Sequence, residues 1–256
     1  MYSKIRKFDV ESERNFSSFL QENLYSNLEN CSFEVVDDWR RQVSGIDMVL
    51  TINGKKINVD EKLAAQYLNT EKSNFVLELV TPEGGKGWFV NDNLQTDIYA
   101  FIWGSLNAKK FPIQHNEERT DYFKNFARED ITAAEVMFFE KRLLQSFFSM
   151  FGYSADKLYR IALEMREKYS DSNEMKWKYL LDKENRKLFG VKGIVYSPFL
   201  EEKPVCIVLC PKFLNNFYLK KFIVSNGSCR EIKGDSGREL FWKRHGLAYS
   251  YPYKRL

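Results

Sequence analysis

Apolar and polar residues alternate along Ile46 to Ile52 and again along Lys56 to Lys62, and the two runs meet at Asn53-Gly54. Period-two alternation on both sides of an Asn-Gly turn predicts an antiparallel hairpin. Successive strand residues face opposite ways, so Ile46, Met48, Leu50 and Ile52 share one face of the first strand and Asp47 takes the other. On the second strand, Ile57 and Val59 share one face and Asn58, Asp60 and Lys62 the opposite one. Asp47, Asp60 and Lys62 therefore converge on one side of the hairpin. Upstream, Phe16, Phe19, Leu20, Leu24 and Leu28 recur at helical spacing over residues 9–28, with Ser12 as the candidate cap. A short strand is expected at Ser32 to Val36 and a polar connection over Asp37 to Gln42. After the hairpin, Leu63 to Leu68 favours a short helix and Phe75 to Val80 a strand. Pro82 to Gly87 reads as a turn, and Thr96 to Trp103 as a buried strand.

Beyond residue 106 the pattern changes. Thr132-Ala133-Ala134-Glu135 has the form of a capping box and predicts a long helix to about Phe151. Val136, Phe139, Leu143, Leu144, Phe147, Phe148 and Phe151 would crowd its apolar side, which suits a core, with a homodimer interface as the other use. A second helix is predicted over Ala155 to Tyr169 and a more polar one over Asn173 to Leu181. Strands follow at Gly193 to Tyr196, Val205 to Leu209 and Phe222 to Val224. The expected organisation is a core over residues 1–110 and a helical and α+β extension over residues 111–256.

Two carboxylates held together on rigid strands repel one another unless a cation lies between them. Oxygen donors favour a hard divalent ion such as Mg²⁺ or Mn²⁺, and a neighbouring Lys supplies charge for orienting an attacking water. That combination is suited to phosphodiester hydrolysis.

Asp47 followed by Asp60-Glu61-Lys62 resembles the signature of the PD-(D/E)XK nuclease superfamily: an Asp on one strand and D/E-x-K at the end of the next. Gly45-Ile46 precedes Asp47 where the named pattern has Pro. The resemblance spans roughly residues 8–106, and the order of elements around the short motif carries much of its specificity. It implies an α/β (α+β) fold with a restriction-endonuclease-like αβββαβ core and a mixed central sheet. It further implies that Asp47 and Asp60 bind Mg²⁺ or Mn²⁺, that the main-chain carbonyl of Glu61 completes the coordination, and that Lys62 assists the nucleophilic water. Many members also carry a Glu on the preceding helix, here Glu13 in competition with Glu11 and Glu22, and some a Gln one turn after the Lys, here Gln66.

Composition narrows the remaining options. At 256 residues and 44% hydrophobic, the chain can bury a large core. No run reaches the roughly 20 apolar residues of a membrane helix, and Met1 to Lys7 lacks an apolar signal region, so a cytoplasmic protein without a membrane partner is expected. Cys31, Cys206, Cys210 and Cys229 form no disulfide framework and are expected to be buried thiols rather than zinc ligands. Only His115 and His245 are present, which disfavours histidine acid–base chemistry. From Pro211 to Leu256 there are ten Lys or Arg against three Asp or Glu, interleaved with aromatics such as Phe217, Trp242 and Tyr251. Cations that neutralise phosphates beside rings that stack on bases would make a nucleic-acid surface; a folded extension with buried rings is the alternative. Arg40 and Arg41 are further candidates for phosphate contact. The leading expectation is a metal-dependent nuclease acting on DNA, and the alternative is a non-catalytic nucleic-acid-binding or protein-interaction protein on the same fold.

Overall fold

The structure is a computed structural model that describes residues 4–70, 74–111, 126–199 and 202–233, the side chains of residues 4–7 and Gln66 excepted. Among the described residues the chain is mixed α/β, with eleven strands in two sheets and six α-helices. The strands in chain order are β1 (Cys31–Val35), β2 (Met48–Ile52), β3 (Lys55–Leu63), β4 (Phe75–Val80), β5 (Ile98–Leu106), β6 (Ile131–Glu140), β7 (Lys176–Lys178), β8 (Val191–Tyr196), β9 (Val205–Leu209), β10 (Lys220–Ser225) and β11 (Ser228–Glu231). The helices are α1 (Lys4–Asn23), α2 (Trp39–Gln42), α3 (Lys141–Met150), α4 (Ala155–Lys168), α5 (Lys183–Phe189) and α6 (Pro211–Phe217).

The chain divides into two compact units that interleave in sequence. One comprises Met1–Lys72, Thr96–Glu140 and Tyr218–Leu256, the other Ser73–Gln95 and Lys141–Phe217. A boundary at residue 110 does not separate them, because β6 pairs along its length with β5 and β10 joins β6. With β11 paired to β10, those ladders place three strands of the expected extension in the same sheet as the hairpin.

In the first unit the seven strands run in the order β1-β2-β3-β5-β6-β10-β11. β3 and β5 are parallel and the other neighbours antiparallel. The predicted hairpin is present, with Met48 opposite Val59 and Ile52 opposite Lys55. Its turn holds Asn53 at φ 51° and Gly54 at φ 76°, the left-handed pair that matches strand twist. Helix α1 buries Phe16, Phe19 and Leu20 in a core with Met48, Leu50, Ile57, Val59, Ala100 and Val136. The Phe16 ring lies so close to Gly104 of β5 that a Cβ there would stand 2.0 Å from its Cζ. Ser12 lies within α1 and is buried, so it is a core position and not the cap.

Residues 131–140 form β6, not the opening of a helix; α3 begins at Lys141. The apolar positions reach helical spacing because β6 is interior to the sheet and buried on both faces, with Val136 and Phe138 on one and Met137 and Phe139 on the other. Asn173 to Leu181 is likewise not helical. It contains the short strand β7, and the helix follows at α5, capped by Asp182, which accepts from the Asn185 N–H at 2.8 Å, and closed by Gly190 at φ 77°.

In the second unit the four strands run β4-β9-β8-β7, all antiparallel. The predicted strand Phe75 to Val80 is thus present as β4 but pairs with β9 and lies outside the hairpin's sheet. Phe147 of α3 meets Phe213 and Phe217 of α6 edge-on at 5.0 and 5.1 Å and Phe189 at 5.4 Å, so its stripe is taken up by intrachain packing. The four cysteines are free thiols, Cys206 buried and the others partly so. No helix among the described residues is long and apolar enough to cross a membrane. Residues 234–256, with most of the expected basic and aromatic tail and His245, lie outside the described residues, as does His115.

Candidate active site

The site is built on main-chain clamps. Asp47 sits immediately before β2, where its N–H donates to the Val59 carbonyl at 2.9 Å and its carbonyl accepts from the Val36 N–H at 3.0 Å. Gly45, at φ 76°, makes the turn into this segment, a conformation that Gly adopts freely and Pro cannot. The Gly45 carbonyl accepts a 2.8 Å hydrogen bond from the Thr96 hydroxyl, which ties the turn to the approach of β5. Asp97 reinforces the same junction, its Oδ2 accepting from the Asn58 N–H at 2.9 Å.

From that position Asp47 Oδ2 accepts from the Glu61 N–H at 2.8 Å. Asp60, only 2% exposed, forms an ion pair through its Oδ1 with the Lys62 ammonium. The expected trio is therefore brought together. Glu61 points away from it: its buried carboxyl accepts from the Tyr25 hydroxyl at 2.6 Å and from Ser17. Burial holds that carboxyl above its ordinary range despite both bonds. The main chain of Glu61 meets the site through the N–H that Asp47 accepts.

Of the three helical glutamates, Glu13 joins the cluster, where it feels Lys62, Asp60 and Glu61. Glu22 is paired with Arg128 elsewhere in the unit, and Glu11 is an exposed residue. Asp9, one helical turn before Glu13, was missed by sequence reasoning although its four-residue spacing from Glu13 was visible; so were Ser17 and Tyr25. Gln66 lies in the short 3-10 turn Ala65–Tyr67, and its side chain is outside the described residues. Arg41 is paired with Glu34 at 2.6 Å, while Arg40 is exposed on α2.

The electrostatics are those of crowded acids. Burial raises Asp47 to about 8; Lys62 opposes this, and Asp60 and Glu61 push it further up. Glu13, although exposed as a residue, is pushed up to about 7, chiefly by burial, with Lys62 opposing and Asp9, Asp60 and Glu61 adding to the rise. Burial disfavours the Lys62 ammonium, yet Asp60, Asp47 and Glu13 outweigh it and hold Lys62 above its ordinary value. The cluster is short of positive charge.

Among the described residues no three His, Cys, Asp or Glu side chains gather closely enough to hold a metal ion by themselves. Two carboxylates and a main-chain carbonyl are nevertheless a donor set that fits Mg²⁺, which keeps several waters and binds through one or two carboxylates together with substrate phosphates. No family model matches the chain, and no curated protein or solved structure was found to be similar to it.

Proposed function

We propose that the first unit is a metal-dependent nuclease core of restriction-endonuclease-like arrangement that hydrolyses phosphodiester bonds in DNA. The observation that carries this is the joint placement of Asp47 and Asp60 on one side of the hairpin, with Lys62 bonded to Asp60 and Asp47 bonded to the Glu61 N–H. The succession of α1, the antiparallel β1, β2 and β3, and then β5 parallel to β3 supports it.

In this reading Asp47, Asp60 and the Glu61 carbonyl hold Mg²⁺ or Mn²⁺. When bound, such an ion would lower the pKa of a coordinated water and offset phosphate charge. Lys62, kept protonated by its carboxylate neighbours, donates from Nζ toward the attacking water or a phosphate oxygen, and its bond to Asp60 fixes the direction of that donation. Glu13, raised to about 7, can take up or release a proton at its carboxyl near neutral pH.

The test is cleavage of single-stranded, double-stranded and branched DNA, with RNA alongside, in Mg²⁺ or Mn²⁺. Wild type should cut, and Asp47→Asn and Asp60→Asn should lose about 100-fold or more in rate. Either variant cutting like wild type sinks the assignment. A wild type that binds DNA but cuts none of the panel moves the function to a non-catalytic binding protein.

A further inference from the structure

The second unit carries a surface that the hairpin chemistry does not use. β7 is the edge strand of its sheet and reads Lys176-Trp177-Lys178, followed by Tyr179. Lysines on an edge strand protect it from pairing with other chains, which accounts for Lys176 and Lys178. It does not account for the rings beside them: Trp177 is 41% and Tyr179 58% exposed. Tyr179 directly follows the strand, and both rings line one depression. The Arg186 guanidinium stacks 3.6 Å from the Tyr179 ring centre, and its Nε makes no hydrogen bond among the described residues, so the ring sets its place. Gly193 of β8 makes room underneath: a Cβ there would stand 2.8 Å from the Lys178 carbonyl oxygen and 3.3 Å from the Tyr179 ring. Trp177, Tyr179, Lys183, Arg186, Lys187 and Lys192 line a depression of about 470 Å³. Over residues 176–192 there are six Lys or Arg and two Asp or Glu, a net +4.

We infer that this surface of the second unit binds single-stranded nucleic acid. The charge excess is complementary to a phosphate backbone, and adjacent exposed rings beside a stacked guanidinium are a platform for unpaired bases, which a duplex keeps stacked within itself. An acidic protein would satisfy the lysines but leave the rings without a role. The inference is independent of the nuclease site and requires no cleavage.

The test is fluorescence anisotropy with labelled oligo(dT) and oligo(rU). It uses the full-length chain carrying Asp60→Asn, in EDTA, so that catalysis is silent and its success or failure does not enter. Trp177→Ala with Tyr179→Ala should weaken binding about tenfold or more. Lys183→Gln with Lys187→Gln changes only exposed helix positions and guards against a misfolded alanine variant. It should reduce the slope of log affinity against log salt by about 0.7 for each cation that meets a phosphate. Thermal midpoints equal to that of the parent would show both variants folded. Unchanged affinity and slope overturn the inference, as does a parent that binds anionic vesicles or polyglutamate but neither oligonucleotide.

Discussion

Asp47 Oδ2 accepts a 2.8 Å hydrogen bond from the main-chain N–H of Glu61, which fixes one carboxylate of the site to the strand that carries the other. An amide at this position keeps the acceptor and an alanine removes it. Asp47→Asn is therefore expected to unfold at nearly the wild-type denaturant midpoint while losing cleavage. Asp47→Ala should cost about 1–3 kcal/mol, because a donor in the protein interior is left unmatched. Equal stability for the two variants would show that the bond to Glu61 contributes nothing.

The raised carboxyls predict how stability varies with pH in EDTA. Asp47 rises from 3.8 to about 8 and Glu13 from 4.5 to about 7 on folding. The folded chain thus holds these protons more tightly than the unfolded chain. Their contribution to stability is full below about pH 4 and declines as the pH rises toward 8. The thermal midpoint should fall between pH 5 and 8, and Asp47→Asn should flatten that fall. Parallel curves for the two proteins would contradict the assignment of the titration to Asp47.

The Asp60–Lys62 pair is asymmetric, since Asp60 is nearly sealed and the Lys62 side chain remains 24% exposed. Removing the lysine leaves a buried carboxylate without its partner; removing the charge of Asp60 leaves an ammonium that still has Asp47 and Glu13 as neighbours. Lys62→Met should destabilise by up to ~3 kcal/mol, the low end of the range for breaking buried pairs because solvent screens this one. Asp60→Asn should cost less. Urea unfolding of both variants decides the order, and the reverse order would mean that the lysine is the desolvated partner.

Metal addition should stabilise the native state by mass action. At 100 times its dissociation constant, Mn²⁺ adds about 2.7 kcal/mol. The rise in thermal midpoint should be larger at pH 8 than at pH 6, because cations bind the ionised carboxylates. It should be reversed by EDTA and absent in Asp60→Asn. A rise that persists in that variant would place the metal elsewhere on the chain.

The hairpin and its chemistry were legible in the sequence because both depend on short-range relations. Asn53-Gly54 imposes the turn, the turn sets the register, and a period of two assigns Asp60 and Lys62 to one face and Glu61 to the other. The burial of Asp60 and its bond to Lys62 follow once that face is covered. The helical period likewise predicted the buried stripe of Phe16, Phe19 and Leu20 on α1.

Other elements depended on partners distant in the chain. Residues 131–140 have an apolar spacing that a helix and a doubly covered strand both satisfy, and pairing with β5 and β10 selects the strand. β4 has the composition of a core strand of the first sheet, but its ladder partner is β9, more than a hundred residues away. Spacing alone could not choose among Glu11, Glu13 and Glu22; the packing of α1 brought Glu13 to the charges on β3 and Glu22 to Arg128. By itself the sequence determined the hairpin, its faces and the acids and amine they carry, since backbone geometry within a few residues is enough to specify them. Which strands share a sheet, which glutamate joins the site, and how far burial raises its carboxyls were decided only by tertiary structure, because these depend on what covers each residue.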